Sequence, residues 1–141
     1  MIITVKIIPV CLYIIVGIIS LIMAYKNIFS NRLLPFQEHA TGKLWNDLDK
    51  GVQFVIIVLM KVSGLGFLIV ALLLLIFPIV NYLENNSFVQ YSIPAISLIY
   101  CFGLFFFNYH LFVQTKAKTP WKRSLYAAAM IVVGLILSLL L

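Results

Sequence analysis

The sequence has few charged side chains and few cysteines for its length. Of its 141 residues, 10% are charged, four are acidic and two are cysteines, whereas 64% are hydrophobic. A chain of this size buries only about 68–70% of its surface on folding, so much of the apolar area would face water in a soluble protein. The composition therefore excludes a soluble globular fold and indicates a membrane protein.

The sequence also has no pattern that marks a well-defined catalytic site. It contains no HExxH, no glycine-rich phosphate loop and no GxSxG, each of which places reactive groups in a fixed geometry. Cys11 and Cys101 lie far apart and form no CxxC pair, which excludes a disulfide framework. We expect both thiols to be buried as small apolar side chains.

Four apolar stretches account for most of the chain. They cover about residues 7–25, 52–80, 87–115 and 121–141. Crossing the apolar core of a bilayer takes about 20 helical residues at a rise of about 1.5 Å each. The sequence therefore predicts an all-α integral membrane protein with one domain, residues 1–141, folded as a compact antiparallel bundle of four transmembrane helices.

The basic residues are concentrated in the loops 26–51 and 116–123, and Lys6 is the only one that opposes this arrangement. The loop between the second and third spans contains Glu84 and neither Lys nor Arg. Because Lys and Arg of short loops remain in the cytoplasm, we predict that both basic loops are cytoplasmic and both termini are outside. The expected location is the bacterial inner (plasma) membrane, with anionic lipid headgroups as partners and no role in nucleic-acid binding.

The first basic loop has one amphipathic pattern. Leu44, Trp45 and Leu48 fall on one helical face, with polar residues around the rest. This pattern is typical of a short interfacial helix with its Trp at the headgroups, here running on into the second span. Pro35 and Gly42 indicate turns upstream of it.

Small residues predict how the spans pack, because helices in lipid associate through close approach. They recur in the first span (Gly17, Ser20), the second (Gly64, Gly66) and the fourth, whereas the third is rich in aromatic residues. We expect a bundle centred on the aromatic third span.

Lys61 is the one charge within an apolar span. If the second span enters the membrane near Gly51, ten residues at about 1.5 Å each place Lys61 about 15 Å deep, near the midplane. A cation there costs about 2.5–3.5 kcal/mol. Two interpretations remain open: Lys61 lines a polar cavity and holds a ligand or ion, or its amine snorkels to the headgroups.

Other candidate ligand or ion residues are Glu38 and His39 in the first loop and a polar group near the end of the third span. The expected topology puts them on one side of the membrane, where histidines relay protons or bind metals. The adjacent pair Glu38 and His39 lacks the i, i+4 spacing of helical metal ligands, so no metal site is predicted, and the sequence indicates no cofactor. The candidates of the third span are Tyr100, Asn108, Tyr109 and His110.

Three functions are compatible with these features. We expect a small polytopic membrane protein that is a non-catalytic accessory, assembly or scaffold subunit, with a homo-oligomer or another membrane protein as partner. One alternative is a small transporter or channel in which Lys61 lines an anion or proton path. The other is a membrane enzyme or redox partner that acts on a lipid-soluble substrate at the cytoplasmic interface.

The charge distribution predicts where the C-terminus lies. A reporter fused after Leu141 should be active outside the cytoplasm, because eight basic residues hold the two loops inside. Paired fusions that are active only in the cytoplasm or only outside it measure this. Cytoplasmic activity of the fusion after Leu141 would contradict the topology.

Overall fold

The computed structural model describes the backbone of residues 2–84 and 87–140 and the side chains of residues 7–81 and 88–140. The side chains of Lys6 and Glu84, on which part of the expected topology rests, lie outside the described residues. Within the described part the regular structure is entirely helical. The helices are α1 (Ile2–Phe29), α2 (Pro35–Thr41), α3 (Lys50–Glu84), α4 (Ser87–Thr115) and α5 (Trp121–Leu140), with a 3₁₀ turn at Trp45–Asp47.

Four of these helices are long and apolar enough to cross a membrane, which confirms the predicted all-α class at this level. The apolar stretches are Ile7–Phe29, Lys50–Asn81, Phe88–Thr115 and Trp121–Leu140. Large apolar side chains remain exposed along them, for example Phe54 at 69%. Continuous helices suit an apolar surrounding because every backbone group inside a helix is paired within its own segment.

The long helices form a ring of contacts in the order α1, α3, α4, α5 and back to α1. Glycines mark the closest approaches. A Cβ built on Gly64 of α3 would lie 2.7 Å from Cγ1 of Ile28 in α1, and one on Gly17 of α1 would lie 3.0 Å from Cγ of Leu75 in α3. The expected role of small residues therefore holds for the contact of α1 with α3.

The centre of the packing is α1, which corrects the expected central place of the third span. In the most apolar 18-residue stretch of each helix, 33% of the residues of α1 are buried but only 11% of those of α4. Phe102, Phe106 and Phe107 of α4 are all exposed. Bulky rings limit how closely helices can approach, so α4 turns most of its rings outward and packs at fewer points.

The cysteines differ from each other in burial. Cys101 is buried in the core, as expected, whereas Cys11 is exposed. Cys11 lies on the outer side of α1, two residues before the fully buried Tyr13. Burial of both thiols was therefore wrong for Cys11.

The short helix of the first loop lies upstream of its expected position. It covers Pro35–Thr41, while Trp45 belongs only to a 3₁₀ turn that is separate from α3. Proline is favoured in the first turn of a helix, and Gly42 ends α2 in the left-handed conformation with φ 66°. Leu44 and Leu48 are extended on either side of the 3₁₀ turn, so no helix runs from Trp45 into α3.

The contact of α1 with α5 generates a prediction about stability. The Tyr13 hydroxyl is buried without a hydrogen-bond partner among the described residues, and such a group costs about 1–3 kcal/mol. Tyr13→Phe should therefore leave the melting temperature of the detergent-solubilised protein unchanged or raise it.

A matched pair of glycine variants completes this test. Gly134→Ala should lower the melting temperature, because its Cβ would lie 2.6 Å from Cε1 of Tyr13, whereas a Cβ at Gly103 meets nothing within 4 Å. Overpacking of this kind costs about 1–3 kcal/mol. A loss in Tyr13→Phe as large as that in Gly134→Ala would contradict the packing described here.

Candidate ligand-binding cavity

The two basic segments, 26–51 and 116–123, meet at one end of the molecule, which we call the basic end. There α1 and α4 finish and α3 and α5 begin. Lys26 of the first segment and Arg123 of the second line the same cavity. Lys26 and Arg123 are about a hundred residues apart in the chain, so it is folding that brings the end of α1 and the start of α5 together.

A cavity of about 350 Å³ lies between the helices at the basic end. Ligand sites typically measure about 300–1,000 Å³, so this volume suits a small ligand or one hydrocarbon chain. All five helices contribute to its wall. The lining residues are Ile19, Ser20, Ile22, Met23, Lys26, Asn27, Leu34, Phe36, Gln37, Ser63, Phe67, Tyr100, Cys101, Leu104, Asn108, Leu111, Pro120, Arg123, Ser124 and Ala127.

Side-chain amides bring polar groups to this mostly apolar wall. Asn27 donates from Nδ2 to the Met23 carbonyl oxygen at 2.8 Å, and Asn108 donates from Nδ2 to that of Leu104 at 2.9 Å. A primary amide has two N–H donors and an acceptor oxygen. Each of these amides therefore uses one N–H donor within its own helix and has a second donor and the oxygen available for a ligand.

Tyr100 connects α4 to α3 at the wall of the cavity. Its hydroxyl donates to the Ser63 carbonyl oxygen at 3.2 Å, and its ring packs edge-on to Phe67 at 5.5 Å between centroids. A Cβ on Gly66 would lie 2.6 Å from the Tyr100 hydroxyl oxygen. Glycine at position 66 therefore gives the tyrosine its place against α3.

The rim of the cavity has a cationic part and an apolar part. Lys26 and Arg123 are exposed lining residues, and neither forms an ion pair within the described side chains. Ile19 and Ile22 also line the cavity and are 43% and 50% exposed. The residues that line the cavity therefore include both exposed cations of the basic end and exposed isoleucines of α1.

A second cavity of about 340 Å³ adjoins the first beneath α2. Asn27, Gln37, Ser63 and Leu111 line both cavities. Gln37 is tied to the start of α2, because its Oε1 accepts a hydrogen bond from the Leu34 N–H at 2.9 Å. The short helix thus covers two neighbouring spaces, and a single residue of it faces both.

The structure brings only two of the residues predicted from the sequence to a cavity. Tyr100 and Asn108 line the larger one, whereas the other five candidates line neither. The histidines are exposed, and the His39 Nδ1 lies 3.1 Å from the Pro35 carbonyl oxygen of its own helix. In residues 7–81 and 88–140, no three His, Cys, Asp or Glu side chains are grouped to hold a metal ion. The candidates outside both cavities are Glu38, His39, Lys61, Tyr109 and His110.

Tyr109 lies instead in an aromatic cluster around Trp121. The Trp121 ring packs against those of Tyr109 at 5.5 Å, Phe112 at 5.9 Å and Phe105 at 6.3 Å between centroids. Trp and Tyr are typical of the level at which a membrane meets water, so this cluster resembles an interfacial belt at the basic end. His110 follows Tyr109 in the chain and is exposed.

Lys61 of α3 lies level with the end of α1. Gly64 of α3 meets Asn27 and Ile28, close to the end of α1 at Phe29, and Lys61 is three residues, or about 4.5 Å along the helix, further towards the basic end. Both α3, which begins at Lys50, and α4, which ends at Thr115, extend beyond this level. The exposed side chain of Lys61 shares an outward face with Val58 and Leu65, and its depth in a membrane stays a prediction.

The sequence reasoning missed Asn27 and Gln37 as lining residues and assigned Lys26 and Arg123 to topology alone. Asn27 is 5% exposed although it follows Lys26 at the end of an apolar span. An amide residue next to a cation at the end of an apolar span could have indicated a polar site in the sequence. Gln37 had none, because its position depends on the helix at Pro35–Thr41.

No protein-family model, curated protein or solved structure was found to match the chain.

The depth of Lys61 can be measured by labelling in membranes. With both native cysteines replaced by serine, Lys61→Cys should react with a charged, water-soluble maleimide, because it lies level with the end of α1. Leu72→Cys is the control, since Leu72 is 47% exposed on the same face of α3 but eleven residues further in. Equal protection of both positions would contradict this placement of Lys61.

Proposed function

We propose that the protein is a non-catalytic accessory membrane protein that holds a lipid-like amphiphile between its helices. Its four long helices form an antiparallel bundle in the bacterial inner membrane, with the basic end in the cytoplasm and both termini outside. Retention of Lys and Arg in the cytoplasm supports this orientation, as does the meeting of both basic segments at one end.

The observation that carries this proposal is the divided rim of the larger cavity. Exposed cations lie on one part of the rim and exposed isoleucines on another. An amphiphile has the same division, with a polar head that stays hydrated and a chain that prefers an apolar wall. In a bilayer the exposed isoleucines of α1 face lipid chains, from which such a molecule enters the cavity.

The chemistry of the lining favours binding over catalysis. Its uncharged polar groups are amides and hydroxyls, which form hydrogen bonds but do not exchange protons readily near neutral pH. Cys101 lines the cavity but is 4% exposed in the apolar core, and buried thiols of this kind are inert. The two histidines, on which an enzymatic function would depend, are exposed outside both cavities.

A transport path through Lys61 has no support from the cavities, because Lys61 lines neither of them. Its amine instead contacts lipid headgroups at the basic end. Such a contact stabilises the association of the protein with an anionic membrane surface by about 1 kcal/mol per basic residue.

Filling the cavity tests the proposal. Delipidated protein in detergent should bind one molecule of 1-lauroylglycerol, detected by native mass spectrometry. Ala127→Leu should weaken this binding about tenfold or more, because its three added carbon atoms occupy space that the ligand chain would otherwise fill. Each methylene group of the ligand that is no longer buried loses about 0.8 kcal/mol of binding free energy.

The matched control is Ala129→Leu, which makes the same substitution on the exposed side of α5. It should leave the affinity for 1-lauroylglycerol within about twofold of the wild type, a change of less than about 0.5 kcal/mol. Equal effects of the two variants, or no stoichiometric binding by the wild type, would overturn the proposed function.

A further inference from the structure

The two cations at the rim of the larger cavity are close to the ends of the helices that carry them. Lys26 lies in the last turn of α1, and Arg123 is the third residue of α5. Their charged groups are available, because neither has an ion-pair partner within the described side chains. No acidic residue is among the side chains that line this cavity, so an anion at the rim would meet attraction without a competing carboxylate.

The cations lie at one end of the lining that α1 contributes. From Lys26 and Asn27 this lining runs through Met23 and Ile22 to Ser20 and Ile19, and Lys26 and Ile19 are seven residues or about 10 Å apart along the helix axis. Phe67 and Leu104 contribute apolar surface from the facing helices. A ligand that spans this distance therefore has its polar group at the basic end and its apolar part inside.

The size of the cavity favours one chain over two. Its volume of about 350 Å³ is near the lower limit of about 300–1,000 Å³ for sites that enclose a ligand. The neighbouring cavity lies beyond Asn27, Gln37, Ser63 and Leu111, which line both spaces. Three of these four side chains are polar, which makes the boundary unfavourable for a second hydrocarbon chain.

We infer that the cavity is selective for single-chain amphiphiles with an anionic headgroup, held at the rim by Lys26 and Arg123. This inference rests on the proposed function and adds the charge and the chain number of the ligand. Arg forms paired hydrogen bonds with phosphate or carboxylate oxygens, while Lys contributes a mobile point charge. The amides of Asn27 and Asn108 lie next along the wall, where hydroxyl or ester oxygens of the ligand would meet their free donors.

Three probes separate the headgroup from the chain. They are 1-lauroylglycerol 3-phosphate, 1-lauroylglycerol and glycerol 3-phosphate, each titrated into delipidated full-length protein and followed by native mass spectrometry. The phosphorylated lipid should bind at least about tenfold more tightly than the neutral one, because its phosphate forms charge-assisted hydrogen bonds with both cations. Glycerol 3-phosphate should bind far more weakly, since it leaves the apolar wall unused.

Lys26→Gln/Arg123→Gln should remove this preference while retaining affinity for 1-lauroylglycerol. The control Lys43→Gln/Lys118→Gln removes one exposed cation from each basic segment and lowers the net charge by the same amount. Neither of these lysines lines either cavity. It should keep the preference. Added salt should weaken only the binding of the phosphorylated lipid.

The outcomes distinguish the two claims. Equal affinities for the charged and neutral lipids, both lowered by Ala127→Leu, would overturn the inference and leave the proposed function standing. A loss of preference as large in the control pair as in the test pair would also overturn it, by showing a general surface charge effect. Tight binding of glycerol 3-phosphate alone would replace the amphiphile with a soluble anion and overturn both claims.

Discussion

The close contact of α1 with α3 sets the positions of the other elements. Gly64 contacts Ile28 and Asn27, and Gly17 contacts Leu75, so the two helices meet at two points about eleven residues apart along each. In an apolar surrounding, helices gain little from hiding apolar surface and depend on close approach instead. The register fixed by these contacts determines which residues reach the basic end.

Two properties of the candidate site follow from that register. Lys61 comes to lie level with the end of α1 and outside both cavities. Lys26 comes to the same cavity as Arg123, because α5 packs on the other side of α1 through Gly134 and Tyr13. At the wall of the cavity α4 meets α3 through Tyr100, whose hydroxyl donates to the Ser63 carbonyl oxygen.

The first loop shows where local sequence patterns fail. Leu44, Trp45 and Leu48 have helical spacing, yet the helix forms at Pro35–Thr41. Proline at its first position and glycine at its end fix the limits of α2 more strongly than an amphipathic pattern of five residues can. The cavities depend on this outcome, since Gln37 of α2 lines both of them.

The candidate residues show the same limit. Tyr100 and Asn108 were identified from their polarity within an apolar span, and both line the larger cavity. Lys61 has the same sequence signal but lies on an outward face, because a polar side chain near a helix end can be satisfied by either a cavity or the headgroups. Position along one helix does not distinguish these environments; the facing helix does.

The sequence by itself determined the helical class, the number of long apolar helices and the separation of their basic connections. These properties depend on hydropathy and charge summed over about 20 residues, so no knowledge of neighbours is needed. Only the tertiary structure decided that α1 is central, that Lys61 lines neither cavity and that Lys26, Asn27, Gln37 and Arg123 share a cavity. Those properties depend on contacts between segments far apart in the chain, where side-chain volume at a few small residues sets the register.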